Sequence, residues 1–343
     1  MREARVTVLM PVYNGEKDLR GAIESILCQA YPAFEFLIIN DGSTDRSVEI
    51  IQSYQDPRIR LVHNDKNLGL ILTLNKGMAL SRGEYIVRMD CDDVSLPGRI
   101  QKQVHYMEKN PDVGISGTWV QMMGAGKRTI RYPIEHDSIR CHLLFYSPLA
   151  HPSVILRKDM METHGLSYDT SYVRAEDYEL WVRAGKYVKL GNLGEPLLQY
   201  RVRHGLKHMN LGHEQLATAA RIRMNQLRAF GIDFDEKDVQ VHEVVSRCEG
   251  ADGEKFYQEA DAWLTRLKRH NDKAQVYPPE KFDEAIASSW LSLCNAGTEN
   301  GWRCLANYWR SKLARTGNVS FLQKMKFSMK CLVHYRSWHP LDG

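Results

Sequence analysis

Residues 85–93 read Tyr85-Ile86-Val87-Arg88-Met89-Asp90-Cys91-Asp92-Asp93. A short, mostly apolar run of strand length passes directly into three carboxylates within four positions. The spacing predicts a buried strand over 85–89, with the acids just past its carboxyl end. Moving toward the N-terminus, the same chemistry recurs. Ile71–Ser81 has helical spacing, Ile59–His63 reads as a strand and Ser47–Tyr54 as a helix. Phe34–Ile39 is a strand closed by the turn Asn40-Asp41-Gly42-Ser43. Leu19–Gln29 is a helix with Leu19, Ala22, Ile23, Ile26 and Leu27 on its apolar side, and Arg5–Val12 is a Val-rich strand with a Pro near its end. Strands alternating with helices predict an α/β fold with a doubly wound, mainly parallel sheet. Such sheets bind ligands beyond the carboxyl ends of their strands. Pro11–Glu16, Asn40–Asp45 and Asp90–Asp93 are therefore expected to face one crevice.

Three acids this close repel one another unless a cation or protons offset them. Mg2+ or Mn2+ bound to a diphosphate would do so, because these ions take one or two carboxylates plus phosphate oxygens and water. The competing reading is a solvated loop in which Asp93 caps a helix over Val94–Tyr106. Asp41 is open to two readings as well: an acceptor facing a base or ribose, or the cap of an Asx-turn. Tyr13 either stacks on a base or simply packs. Far downstream, Ala175-Glu176-Asp177-Tyr178-Glu179-Leu180-Trp181 predicts a helix with acids in its first turn. Helix N-termini favour negative side chains for purely structural reasons; a general base taking a proton from a hydroxyl is the functional alternative.

Together these segments resemble family 2 glycosyltransferases of the GT-A type. The resemblance rests on V-T-V-L-M-P-V-Y-N (6–14), E-S-I-L-C-Q (24–29), I-I-N-D-G-S-T-D (38–45), N-L-G (67–69), G-E-Y-I-V-R-M-D-C-D-D (83–93) and A-E-D-Y-E-L-W (175–181), in that order over about residues 4–203. It implies a Rossmann-like GT-A fold and specific roles. Pro11, Tyr13 and Glu16 would line the nucleoside pocket, and Asp41 would contact base or ribose. Asp90 would meet the ribose or the metal-bound phosphate, and Asp92 would hold the metal. Asp177 would be the catalytic base, with Glu176 in support. His151 and Arg201 would lie near the donor phosphates or the acceptor. The implied reaction moves a single sugar from a nucleotide-diphosphate sugar, UDP-linked by family frequency, to a hydroxyl acceptor with inversion. The usual setting is bacterial surface-glycan assembly, such as lipopolysaccharide or capsule, on a glycan or lipid-linked glycan. Processive members carry Q-x-x-R-W; here Gln199-Tyr200-Arg201-Val202-Arg203 lacks that Trp, which argues for single addition. The alternatives are a sugar nucleotidyltransferase, disfavoured because Pro-Val-Tyr-Asn-Gly replaces a Gly-rich loop after the first strand, or a non-catalytic nucleotide-sugar-binding protein.

Beyond about residue 210 strand patterns give way to helices, expected over 212–230, 235–248, 254–270, 280–294, 302–314 and 320–334. We place the boundary at 1–208 and 209–343, in the loop-like stretch Arg203–Leu206. The second part is expected to serve acceptor, oligomer (a homo-oligomer included) or membrane contact. Charge is uneven: residues 1–200 hold 24 Lys+Arg against 25 Asp+Glu, and residues 201–343 hold 22 against 17. Ser320–His334 predicts a basic amphipathic helix, and with Tyr335 and Trp338 it makes 319–338 a candidate for peripheral membrane contact. The small net charge of +4 and the lack of a recognised module argue against nucleic-acid binding. Seven scattered cysteines without a C-x-x-C pair suit reduced thiols rather than a zinc site. Without a secretory signal or a spanning segment, the expected compartment is the cytoplasm, including the inner face of the cell membrane.

Overall fold

A computed structural model describes residues 5–123, 128–201, 211–248, 253–317 and 319–334. The loop expected at Arg203–Leu206 and the aromatics Tyr335 and Trp338 lie outside the described residues. The chain divides into two compact units, Met1–His136 with Ser147–Leu206, and Asp137–Tyr146 with Lys207–Gly343.

The first unit is built on one sheet. Its strands are β1 (Val6–Val12), β2 (Phe34–Asn40), β3 (Ile59–His63), β4 (Tyr85–Arg88), β5 (Val94–Ser95), β6 (Val113–Met123), β7 (Thr129–Ile130), β8 (Ile155–Arg157) and β9 (Lys189–Arg201). The order is β3-β2-β1-β4-β8-β6-β9-β5, with β7 on β6. The first four strands are parallel, with Val6 opposite Phe34 and Tyr85, and Phe36 opposite Ile59. Every residue of β1 and β2 is buried, as expected for parallel strands covered on both faces. The helices α1 (Leu19–Leu27), α2 (Ser47–Gln52) and α3 (Leu70–Leu80) supply the crossovers. Beyond β4 the sheet is mixed, since β8 runs antiparallel to both β4 and β6, whereas β9 is parallel to β6.

One close approach, of Gly83 to β1, sets this geometry. A Cβ added at Gly83 would lie 2.5 Å from the backbone nitrogen of Thr7 and 2.6 Å from the carbonyl carbon of Val6. The Gly83 N–H also donates to the Thr7 hydroxyl at 2.9 Å. Because the obstruction is backbone, it has no flexible end to yield. Gly83→Ala is expected to destabilise the protein by about 1–3 kcal/mol, read as a lower urea midpoint at unchanged slope. A wild-type midpoint would mean that β1 and β4 can separate without cost.

The helix expected over Val94–Tyr106 begins later. Val94–Ser95 pairs with β9, and α4 spans Arg99–Lys109. Pro97 disfavours helical geometry at Leu96, whose N–H instead donates to Leu197 O, and Gly98 sits at φ 77°. Asp93 therefore caps no helix.

The first unit also holds α6 (Lys158–Thr163) and α7 (Glu176–Ala184); the second contains nearly all of α5 (His136–Leu143), with α8 (Leu211–Phe230), α9 (Glu236–Arg247), α10 (Glu254–Ala274), α11 (Pro279–Ala296), α12 (Trp302–Arg310) and α13 (Phe321–Leu332). Its core includes Phe230, Trp263, Phe282, Trp290, Tyr308 and Phe327. Leu144 and Phe145, from the end of the α5 segment, join this core. Gln226 donates to Leu143 O at 2.6 Å, and His242 Nε2 lies 3.0 Å from Leu144 O. The helix expected over 302–314 stops at Arg310, because Ser311 is extended and its hydroxyl accepts the Leu313 N–H. That contact starts a short 3-10 turn over Lys312–Arg315. Among the described residues no helix is long and apolar enough to cross a membrane.

Candidate active site

The loops after β1 and β2 are sewn together by short polar side chains. Asn14 adopts φ 50°, a left-handed conformation that Asn tolerates better than most residues. Its Oδ1 accepts the Thr44 N–H at 2.8 Å, and its own N–H donates to Ser43 Oγ at 3.1 Å. Gly15 donates to Ser47 Oγ, and Glu16 donates its N–H to Asp45. Pro11 is buried within β1, whereas Tyr13 is half exposed at the loop's rim. The Glu16 carboxylate accepts from the backbone and side chain of Arg46.

Asp41 is only 3% exposed. Its carboxylate accepts from Asn64 Nδ2 at 2.7 Å, Leu68 N–H at 2.9 Å and Gly69 N–H at 3.0 Å. These bonds pin the 64–69 loop at the start of α3. Asn64 in turn accepts from Lys76 Nζ at 2.6 Å. The acid thus organises the wall next to the β1 and β2 loops, with its oxygens turned toward α3.

The acid loop after β4 has the opposite character. One carboxylate oxygen from each of Asp90, Asp92 and Asp93 lies within 4.8 Å of the others. Asp90 is held by Arg88 through two contacts at 2.6 and 2.7 Å. Asp93 is 1% exposed; its Oδ1 accepts the Arg201 N–H at 2.8 Å, and its Oδ2 is buried without a hydrogen-bond partner among the described residues. Burial, and after it Asp90, push the Asp93 carboxyl up to about 8. Arg201 Nε donates to the Asp92 carbonyl at 2.9 Å and lies 3.2 Å from Asp18 Oδ1. An orphaned buried carboxylate oxygen beside two further acids is a donor set of hard oxygens that fits a divalent cation.

The third part comes from α7. Arg174, just before it, sits at φ 65°, a left-handed conformation that is costly for a residue carrying a Cβ. Glu176 and Asp177 fall in the first turn. Glu176 is 5% exposed, with Oε1 3.9 Å from His151 Nδ1. His151 Nε2 meets the Tyr168 hydroxyl at 2.9 Å, and the ring packs edge-on against Trp181. Burial, reinforced by Arg88, holds the imidazole well below its ordinary range, so it is neutral. Asp177 keeps some contact with solvent. Its carboxyl is nevertheless pushed up to about 7, first by desolvation and then by Glu176, while the Tyr178 amide and Arg88 pull the other way.

Arg88 connects these parts. Its guanidinium is buried and lies close enough to Asp90, Asp93, His151, Tyr168, Glu176, Asp177 and Tyr200 to act on each electrostatically. Arg99, also fully buried, has no carboxylate ion-pair partner among the described residues. It donates to Arg88 O at 2.7 Å and Pro152 O at 2.9 Å, fixing the β4 end against the turn that bears His151. Burial lowers its guanidinium to about 9. The structure thus gathers Asp90, Asp93, His151, Glu176 and Asp177 around Arg88, and Asp92 and Arg201 adjoin them through the acid loop. Tyr13 and Glu16 sit on the adjoining loop, where a Cβ on Gly15 would touch Cys91 Sγ at 3.0 Å. Asp41 faces α3 instead. Arg88, Arg99, Tyr168 and Tyr200 carry no role in the sequence reading. A charged residue inside the apolar run 85–89 was the available signal for Arg88.

A family model described as Glycosyl transferase family 2 matches residues 7–165. An uncharacterized glycosyltransferase of Haemophilus influenzae is 33% identical over 246 residues, covering 67% of this chain and 76% of the relative. The amylovoran biosynthesis glycosyltransferase AmsE of Erwinia amylovora is 34% identical over 197 residues, covering 56% and 71%. Among solved structures, S. aureus TarS 1–349, crystallised with UDP-GlcNAc, aligns with a TM-score of 0.57 at 15% identity over 97% of this chain and 91% of that one. At that identity the likeness is one of fold, and the fold is GT-A. Fold and sequence relatives agree, and the chain belongs to the family 2 glycosyltransferases.

Proposed function

We propose that the protein is an inverting, non-processive transferase that moves one sugar from a nucleotide-diphosphate sugar, UDP-linked, onto a hydroxyl of a glycan or lipid-linked glycan during bacterial surface-glycan assembly. The observation that carries this reading is Asp177, a carboxyl raised to about 7 that shares the influence of Arg88 with a cluster of acids suited to a metal-bound diphosphate. The donor class is supported by the UDP-GlcNAc held by TarS, and the setting by the name of AmsE.

In this mechanism the acceptor hydroxyl approaches the anomeric carbon from the side opposite the diphosphate. Asp177 takes the hydroxyl proton as the new C–O bond forms. The bond between the anomeric carbon and the phosphate oxygen breaks, and its electron pair leaves with the nucleoside diphosphate. One displacement inverts the anomeric centre. Glu176, buried behind Asp177, keeps that carboxylate basic by like-charge repulsion. Neutral His151 and Tyr168 hold the turn that backs this side of the site, while Arg201 fixes the backbone of Asp92 and Asp93. Tyr13 offers an exposed ring for the base. Asp90, Asp92 and Asp93 would hold Mg2+ or Mn2+, whose positive charge would offset that of the departing diphosphate.

Asp92→Ala tests the donor side. It is expected to weaken Mn2+-dependent binding of UDP-sugars by at least about tenfold, the size of one lost charge-assisted contact, in calorimetric titrations with and without the ion. Binding that ignores both the ion and the substitution would remove the acid loop from the donor site. A panel of nucleotide sugars scored for donor hydrolysis and transfer identifies the sugar.

A further inference from the structure

The face of α13 turned away from the protein is apolar along its whole length. Phe321 is 78% exposed, Leu322 61%, Met329 59% and Val333 71%, and Met325 and Leu332 are exposed beside them. At 3.6 residues per turn these six positions fall within about a third of the helix circumference. On the other side Phe327 and Cys331 are buried, and Phe327 packs on Tyr308 with ring centroids 4.8 Å apart. A capping box between Ser320 and Gln323 fixes the first turn. The helix is therefore formed and seated by one side while presenting a wide hydrophobic stripe on the other, far from the scattered single residues an ordinary surface shows.

Charge selects the occupant. Lys324, Lys326 and Lys330 flank the stripe, with Lys326 exposed. Lys324 donates to Ala314 O and Lys330 to Asn295 Oδ1. Residues 300–341 contain no Asp or Glu. A second copy meeting this face by two-fold symmetry would set lysines against lysines. An anionic lipid surface instead offers phosphates to the lysines and acyl chains to the stripe. At twelve residues α13 is too short to cross a bilayer, so it would lie in the interface plane.

We infer that α13 is an amphipathic docking surface for an anionic bilayer. Docking would bring the enzyme to acceptors carried on lipid, a consequence that rests on the sugar-transfer reading above; docking itself does not.

The test is co-sedimentation of the full chain with phosphatidylglycerol–phosphatidylcholine vesicles and with phosphatidylcholine vesicles, in low and high salt. The intact protein is expected to partition onto the anionic vesicles and to release partly in salt. Leu322→Ser/Met329→Ser/Val333→Ser is expected to lower partitioning by more than about tenfold, with unchanged melting by circular dichroism because these side chains touch no core. Lys326→Glu is expected to lower it severalfold on anionic vesicles alone. Equal binding by the triple variant, or equal binding of the intact protein to both vesicle types, overturns the inference. So does a self-association in analytical ultracentrifugation that the triple variant abolishes without any vesicle binding. The readout needs no nucleotide sugar, so it and the transfer chemistry fail or succeed separately.

Discussion

Asp177→Asn is expected to bind nucleotide sugar as the wild type does and to lower turnover by about 100- to 10,000-fold, the range a positioned general base contributes. The amide keeps the shape and the α7 amide contacts but cannot accept the acceptor's proton. The pH dependence follows from the same carboxyl. It is pushed up to about 7 by burial and by Glu176, so the basic form grows in as pH rises through neutrality. Wild-type turnover should therefore climb through pH 7 and level off above about 8. Stability moves the other way. The folded protein holds the Asp177 proton to higher pH than the unfolded chain does, so folding is favoured below the ordinary carboxylate range and loses ground as pH rises toward 7. Asparagine carries no such cost. The variant should melt higher than wild type at pH 8, by up to about 4 kcal/mol of stability, and differ little at pH 4. A variant that is inactive but no more stable at pH 8 would mean that Asp177 is not desolvated, and unchanged turnover would remove it as the base.

The sequence made this residue legible by type but not by circumstance. Acids just before Leu180 and Trp181 mark a helix start whether or not they act chemically, and only the packing of Glu176, His151 and Tyr168 around them separates the two readings. The strand–helix alternation up to Tyr85–Arg88 was legible because its strand runs are short and mostly apolar and its helices carry apolar residues at helical spacing. Beyond it the pattern is broken for identifiable reasons. β6 carries Gly114, Ser116, Gly117 and Gln121 within one strand, and β9 carries Gly191, Gly194 and Pro196. Register shifts occur between Thr118 and Trp119 and between Trp119 and Val120, so no two-residue period survives. The Asp137–Tyr146 segment lies among catalytic-domain motifs in sequence yet belongs to the helical unit. Its destination depends on partners such as Gln226 and His242, far along the chain, and no local pattern encodes that. The acid loop shows the same limit. One of its two readings made Asp93 the cap of a helix over Val94–Tyr106, but Pro97 and Gly98 delay the helix and leave the Asp93 carboxyl to the Arg201 amide.

Arg88→Met has the second large effect, and it acts on charge balance more than on contact. The wild-type guanidinium is enclosed, pairs with Asp90 on two oxygens, and lowers the carboxyls of Asp93, Glu176 and Asp177. Methionine fills much of the same volume without charge. Removing one partner from a pair buried on only one side should cost about 3 kcal/mol, the low end for buried pairs, because Asp90 retains some solvent. The remaining acids then repel one another with less to offset them, and their carboxyls rise further. Turnover should begin at higher pH than in wild type, with the rising limb displaced toward alkaline values. Arg88→Lys should return part of that displacement, since it restores charge but not the two-point grip on Asp90. The same substitution frees Asp90 for a cation. Mn2+ should therefore raise the melting temperature of Arg88→Met more than that of wild type. If Arg88 merely packs, Arg88→Met would lose stability with no displaced pH limb and no added response to Mn2+. If it balances charge as the geometry indicates, stability, pH profile and cation response change together, and lysine moves all three part of the way back.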